Sequence, residues 1–73
     1  MKTTKVHSEM PGSVFVVEKN VGDPVHADET LLIVESMKME IPVVSPASGR
    51  VVRIAVVVGD QVAEGQLLVE IEH

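Results

Sequence analysis

A chain of 73 residues can bury one small core and has no room for a second domain. It carries sixteen Val and four Ile but one Phe and neither Trp nor Tyr, a strand-forming composition, and the absence of Cys excludes disulfides, thiolate nucleophiles and sulfur-held metals. Six Lys plus Arg against eleven Asp plus Glu give a net charge of −5, which argues against nucleic-acid and anionic-membrane partners.

The first β-branched run spans Val14 to Lys19 and is closed by Val21-Gly22-Asp23; a second spans Leu31 to Glu35. The pattern then starts again. Shifting the chain by 37 positions aligns residues 6–36 with 43–73 without a gap, and ten of the thirty-one pairs are identical, where composition alone gives roughly three. Val51 to Val56, Val58-Gly59-Asp60 and Leu67 to Glu72 repeat the earlier elements in order. Two halves, about 1–37 and 38–73, therefore share one design related by an approximate twofold axis. With no apolar stripe of period 3.6, the reading is all-β, a small two-sheet barrel or sandwich of about eight short strands. The apolar runs are too short for a membrane-spanning helix and the start has no signal-like apolar region, so a cytoplasmic protein is expected.

The two copies also separate the faces. Val16 aligns with Arg53 and Ile33 with Glu70, so these positions point to water. Alternation then predicts that Phe15/Val52, Val17/Ile54, Leu32/Val69 and Val34/Ile71 point inward, and leaves the identical pair Leu31/Leu68 unexplained. All five glycines are read as turn residues, with positive φ at Gly22 and Gly59.

The halves meet inside Glu35-Ser36-Met37-Lys38-Met39-Glu40. Continuing the strand would drive Lys38 into the core, and an unpaired buried ammonium is prohibitive. The chain must turn and project Lys38 at a hairpin tip, with Met37 on the outward side. A tight hairpin prefers Asn, Asp or Gly, and none occurs here; a local rule broken at one place marks a candidate functional site. Elsewhere the chemistry is sparse. His7, His26 and His73 lack partners at metal-ligand spacing, and the serines lack a His and acid set, so neither a metal nor a catalytic residue is assigned.

Glu-Ser-Met-Lys-Met-Glu resembles the attachment motif of the biotinyl/lipoyl domain family, in which Met-Lys-Met marks the biotin-bearing lysine. The resemblance extends to Met10-Pro11-Gly12, Val21-Gly22-Asp23, Pro46-Ala47-Ser48-Gly49 and Val58-Gly59-Asp60. It implies a flattened barrel of two four-stranded antiparallel sheets, a barrel-sandwich hybrid, with the lysine at one end and the termini at the other. It further implies a single carrier domain over 1–73, biotin joined covalently to Lys38, and Met37 and Met39 read by a biotin protein ligase. A biotin carboxylase and a carboxyltransferase would be the further partners, and the isolated domain would be monomeric and non-catalytic. Ser36 stands where the best-known carriers have Ala. The two halves align without insertion, so the protruding loop of some acetyl-CoA carboxylase carriers is missing and the chain looks like the thumbless biotinyl domains or the free-standing attachment proteins. Lipoyl domains of the same fold usually carry Asp-Lys-Ala at this turn, which leaves a lipoyl or dual carrier, or an unmodified module, as the alternatives.

Overall fold

The computed structural model describes residues 2–73. Eight strands follow in order: β1 (Thr3–His7), β2 (Gly12–Val17), β3 (Pro24–Val25), β4 (Thr30–Ser36), β5 (Met39–Val44), β6 (Gly49–Ile54), β7 (Gln61–Val62) and β8 (Leu67–Glu72). They make two antiparallel four-stranded sheets, ordered β1-β8-β6-β3 and β5-β4-β2-β7. The repeat maps β1 to β5, β2 to β6, β3 to β7 and β4 to β8, and so turns the first sheet into the second. Only β2–β4 and β6–β8 pair within a half; every other ladder joins one half to the other. Neither half can close its own core.

Between the sheets lie Val6, Val14, Val25, Leu31, Leu32 and Val34, with Val51, Val56, Val62, Leu68, Val69 and Ile71 from the second half; Val17, Ile54 and Val43, the counterpart of Val6, are partly buried and pack against them. Val17, Ile54, Leu32, Val69, Val34 and Ile71 face this core as alternation requires. Phe15 and Val52 do not: they are 48% and 37% exposed. The cause is a β-bulge. Val14 pairs with Val34 and Val16 with Ile33, so Phe15 is the extra residue; Val51 and Arg53 leave Val52 in the same position. A bulge resets the alternation. Val14 and Val51 point in, the next two residues point out, and Val17 and Ile54 return to the core.

Leu31 and Leu68 have the same explanation. The register skips Leu31 between Thr30 and Leu32, and skips Leu68 between the partners of Val6 and His7. Both residues of each pair, Leu31-Leu32 and Leu68-Val69, are thereby buried, at 2% exposure or less. Four bulges in two repeat-related pairs give the short strands the strong twist that closes the sandwich.

The Val-Gly-Asp turns fasten one half to the other. Gly22, at φ 96°, donates its N–H to the Val51 carbonyl and Val51 donates to the Asp23 carbonyl; Gly59, at φ 94°, and Asp60 do the same with Val14. Asp23 and Asp60 accept from the backbone N–H of Asn20 and Val57. Gly12 and Gly49 differ from the turn reading. They open β2 and β6, where a Cβ at Gly12 would lie 2.5 Å from the Glu35 carbonyl oxygen and one at Gly49 would overlap that of Glu72. These glycines are required by space, not by φ. The buried Ser8 and Ser45 donate their hydroxyls to the Met10 and Ala47 carbonyls, which holds the tight corners leading into β2 and β6.

Candidate functional site

The hairpin β4–β5 carries the site. Its last ladder pair is Ser36 with Met39, so Met37 and Lys38 alone make the connection. Both have positive φ, 52° and 64°, the requirement of the two central residues of a type I′ turn. Asn-Gly suits such a turn, whereas side chains like Met and Lys pay about 1 kcal/mol or more each in the left-handed region. The hairpin register imposes this cost. Leu32 and Val34 are buried on one strand and Val43 packs on the core from the other, and a one-residue slip of either strand would turn its own inward residues outward.

As a consequence the tip is fully presented. Lys38 is exposed, Met37 is 92% exposed and Met39 64%. Immediately behind the turn, Glu35 and Glu40 sit directly opposite each other, both exposed, a like-charge cross-strand pair that disfavours the hairpin. Among the described residues two ion pairs form, Lys19–Glu29 at 2.7 Å and Arg53–Glu70 at 3.3 Å, and Lys38 belongs to neither. The amine is thus held beyond the end of the sheet, without a carboxylate partner, on a strained two-residue turn.

The termini close the opposite end. Lys2 and His73 exchange backbone hydrogen bonds at 2.8 and 3.0 Å. β5 runs from the tip to Val44, and only five residues later Gly49 lies against Glu72 and His73. The longest dimension is 36 Å, which separates the lysine tip from the chain ends by the length of the molecule.

Met37, Lys38 and Met39, singled out in the sequence, are therefore brought together at one tip. Strain at Asp28, φ 70°, was missed, although the repeat held the signal, since the aligned residue is Gly65 at φ 85°. At that equivalent pair of turns Glu29 and Gln66 accept from the N–H of His26 and Ala63. The Lys19 hydrogen bond and then the His26 N–H hold the Glu29 carboxyl below its ordinary value. Among the described residues no three His, Cys, Asp or Glu converge as a metal site.

Residues 4–71 match the family model described as biotin-requiring enzyme. The chain is 45% identical over 67 residues to pyruvate carboxylase of Staphylococcus aureus, covering 92% of this chain and 6% of that protein. It is 38% identical over 68 residues to the biotin/lipoyl attachment protein of Bacillus subtilis, covering 93% of each. The urea carboxylase structure from Kluyveromyces lactis superposes with a TM-score of 0.93 at 33% identity, covering 99% of this chain and 6% of that one. The chain thus spans a small fraction of the carboxylases it matches and nearly the whole of the attachment protein. A strained, exposed lysine turn on an all-β sandwich and a family match over almost every residue agree: the chain belongs to the biotin/lipoyl attachment domain family, whose members carry a cofactor and do not catalyse.

Proposed function

We propose that this chain is a biotin carboxyl carrier domain that bears biotin on Lys38. The observation that carries the reading is the Met37-Lys38 turn, where two positive-φ residues hold an unpaired amine outside the fold. Nothing of the protein surrounds that amine, which suits covalent attachment by an amide and free movement afterwards. In forming the amide, the Lys38 nitrogen attacks an activated biotinyl carbonyl, expels its leaving group and gives up a proton; the base comes from a biotin protein ligase. Met37 and Met39, exposed and polarizable, are the apolar contacts for that ligase.

Biotin, once attached, supplies a ring nitrogen able to hold a carboxyl group. The domain supplies position: a tethered cofactor meets successive active sites as an intramolecular partner, with biotin carboxylase loading it and a carboxyltransferase unloading it. Similarity to pyruvate and urea carboxylases supports this choice over lipoate. The attachment protein, named for both cofactors, keeps lipoate as the second reading.

Intact mass after expression with a biotin ligase tests the proposal. One biotinyl group is expected on wild type and none on Lys38→Arg, with the fold retained. A lipoyl group, an unmodified wild type, or biotin surviving on Lys38→Arg would each refute it.

A further inference from the structure

The repeat provides an internal control for the outer faces of the two sheets. Across the second sheet the register aligns Val16, Ile33 and Pro42 in one row. A shift of 37 turns these into Arg53, Glu70 and Lys5, which form the equivalent row across the first sheet, with Arg53 and Glu70 ion-paired at 3.3 Å. One row is apolar and its mate is fully charged, on an identical backbone plan. The bulge residue Phe15, 48% exposed, and Val44, 41% exposed, extend the apolar row.

Charge separates the faces further. β2, β4, β5 and β7 contain no Lys or Arg, whereas β1 and β6 contribute Lys5, Arg50 and Arg53. The only charges on the second sheet's strands are Glu35 and Glu40, which lie between the apolar row and the Lys38 turn.

We infer that the outer face of the second sheet is a docking surface for the enzyme that acylates Lys38, and that this enzyme's contacting surface is apolar at its centre and edged with Lys or Arg. Charge decides the occupant. Two copies of this chain stacked through the face would bring four carboxylates together with no cation on either strand set to meet them, so a second copy is disfavoured. A partner with a basic edge would neutralise Glu35 and Glu40 and leave the lysine turn projecting past its rim, toward its active site. A small apolar centre with a charged border also fits a contact that must be released after each modification. The inference rests on the carrier reading for the identity of the partner, but its geometry does not depend on which cofactor is attached.

The test exchanges one row for the other. Val16→Arg/Ile33→Glu/Pro42→Lys copies onto the second sheet the row that the first sheet already tolerates, so the fold should survive. Purified biotin protein ligase is the probe. In labelling kinetics the triple variant should raise KM for the domain about tenfold or more while leaving kcat near wild type, the pattern of lost docking. Glu35→Gln/Glu40→Gln should raise KM at low salt and flatten its dependence on ionic strength. Independently of the surface variants, ligase titrated into isotope-labelled Lys38→Arg domain should perturb amide signals of Phe15, Val16, Ile33 and Val44 and spare Arg53 and Glu70.

An unchanged KM in the triple variant, perturbation confined to the turn or centred on the Arg53 face, or no detectable binding would overturn the inference. So would a wild-type dimer that the triple variant dissociates, because the face would then belong to a second copy. If the ligase binds the Lys38→Arg domain through this face yet leaves wild type without biotin, the biotin reading fails and the docking surface stands. Equal labelling of wild type and triple variant gives the converse.

Discussion

Met37→Asn isolates the cost of presenting the lysine. Met37 has φ 52° and is 92% exposed, so replacing it removes almost no packing and chiefly changes the preference of the backbone for the left-handed region. A long side chain there costs about 1 kcal/mol that Asn largely avoids, because its short polar side chain bonds locally. For a two-state domain of this length the entropy of unfolding is near 150 cal/mol/K, so about 1 kcal/mol raises the melting temperature by roughly 6 °C. Differential scanning calorimetry and urea unfolding read the stability, and a ligase assay on the same samples reads the labelling rate. Met37→Asn should melt higher than wild type and be labelled more slowly. Adding Lys38→Gly, which creates the Asn-Gly sequence that favours this turn, should raise the melting temperature again and abolish labelling. If Met37→Asn melted at or below wild type, the turn would not be strained and its odd sequence would need another cause. Stabilisation at the expense of modification is the signature expected of a site where function overrides local preference.

Two further outcomes concern the glycines, and a third concerns Glu29. Gly22→Ala and Gly59→Ala meet no atom within 4 Å and incur only backbone strain, about 1–2 kcal/mol by urea unfolding, with labelling of the folded fraction unaffected. Gly12→Ala and Gly49→Ala would push a Cβ into the carbonyls of Glu35 and Glu72, and should leave no cooperative transition in circular dichroism, since a domain of this size has about 3–5 kcal/mol to lose. Glu29 is held below its ordinary pKa of 4.5, first by the Lys19 hydrogen bond. Its contribution is therefore complete above the unfolded value and is lost as pH falls through the lower folded one. Glu29→Gln keeps the acceptor for the His26 N–H, as Gln66 does for Ala63, and drops only the ion pair. Its stability deficit should be present at neutral pH and disappear only in acid, once the pH has fallen below the lowered folded value, as followed by thermal melts; a deficit constant with pH would refute the electrostatic account.

Much of the fold was legible because the sequence states it twice. Val16 against Arg53 and Ile33 against Glu70 assigned outward positions that the structure keeps, and the turn was located by the impossibility of burying Lys38. Phe15 and Val52 were misplaced because alternation was carried through a bulge, and a bulge leaves no residue type behind: any residue can be the extra one, and only the partner strand shows the skip. Leu31 and Leu68 held the missing clue. An identical pair that violates alternation in both copies is itself the mark of an extra residue, and applying the same logic to the identical pair Val14/Val51 would have pointed these inward. Gly12 and Gly49 were opaque for a related reason. Their need is the approach of another strand's carbonyl, which no local pattern encodes.

The candidate site was legible for the opposite reason: it is where the two statements of the fold stop agreeing. Four bulges, two Val-Gly-Asp turns and two buried serines recur at matched positions, so each can be attributed to the scaffold. The Met37-Lys38 connection has no counterpart, because at its repeat-related place Lys2 and His73 are joined by backbone hydrogen bonds and no turn links them. A strained turn that served the fold would be expected in both halves or be replaced by Asn-Gly at no loss. Occurring once, exposed, next to a like-charge pair that also disfavours its own hairpin, it is maintained against local preference at three adjacent points. The sandwich can bear that cost because its stability rests on the core buried between the two sheets, to which the exposed side chains of the turn contribute nothing.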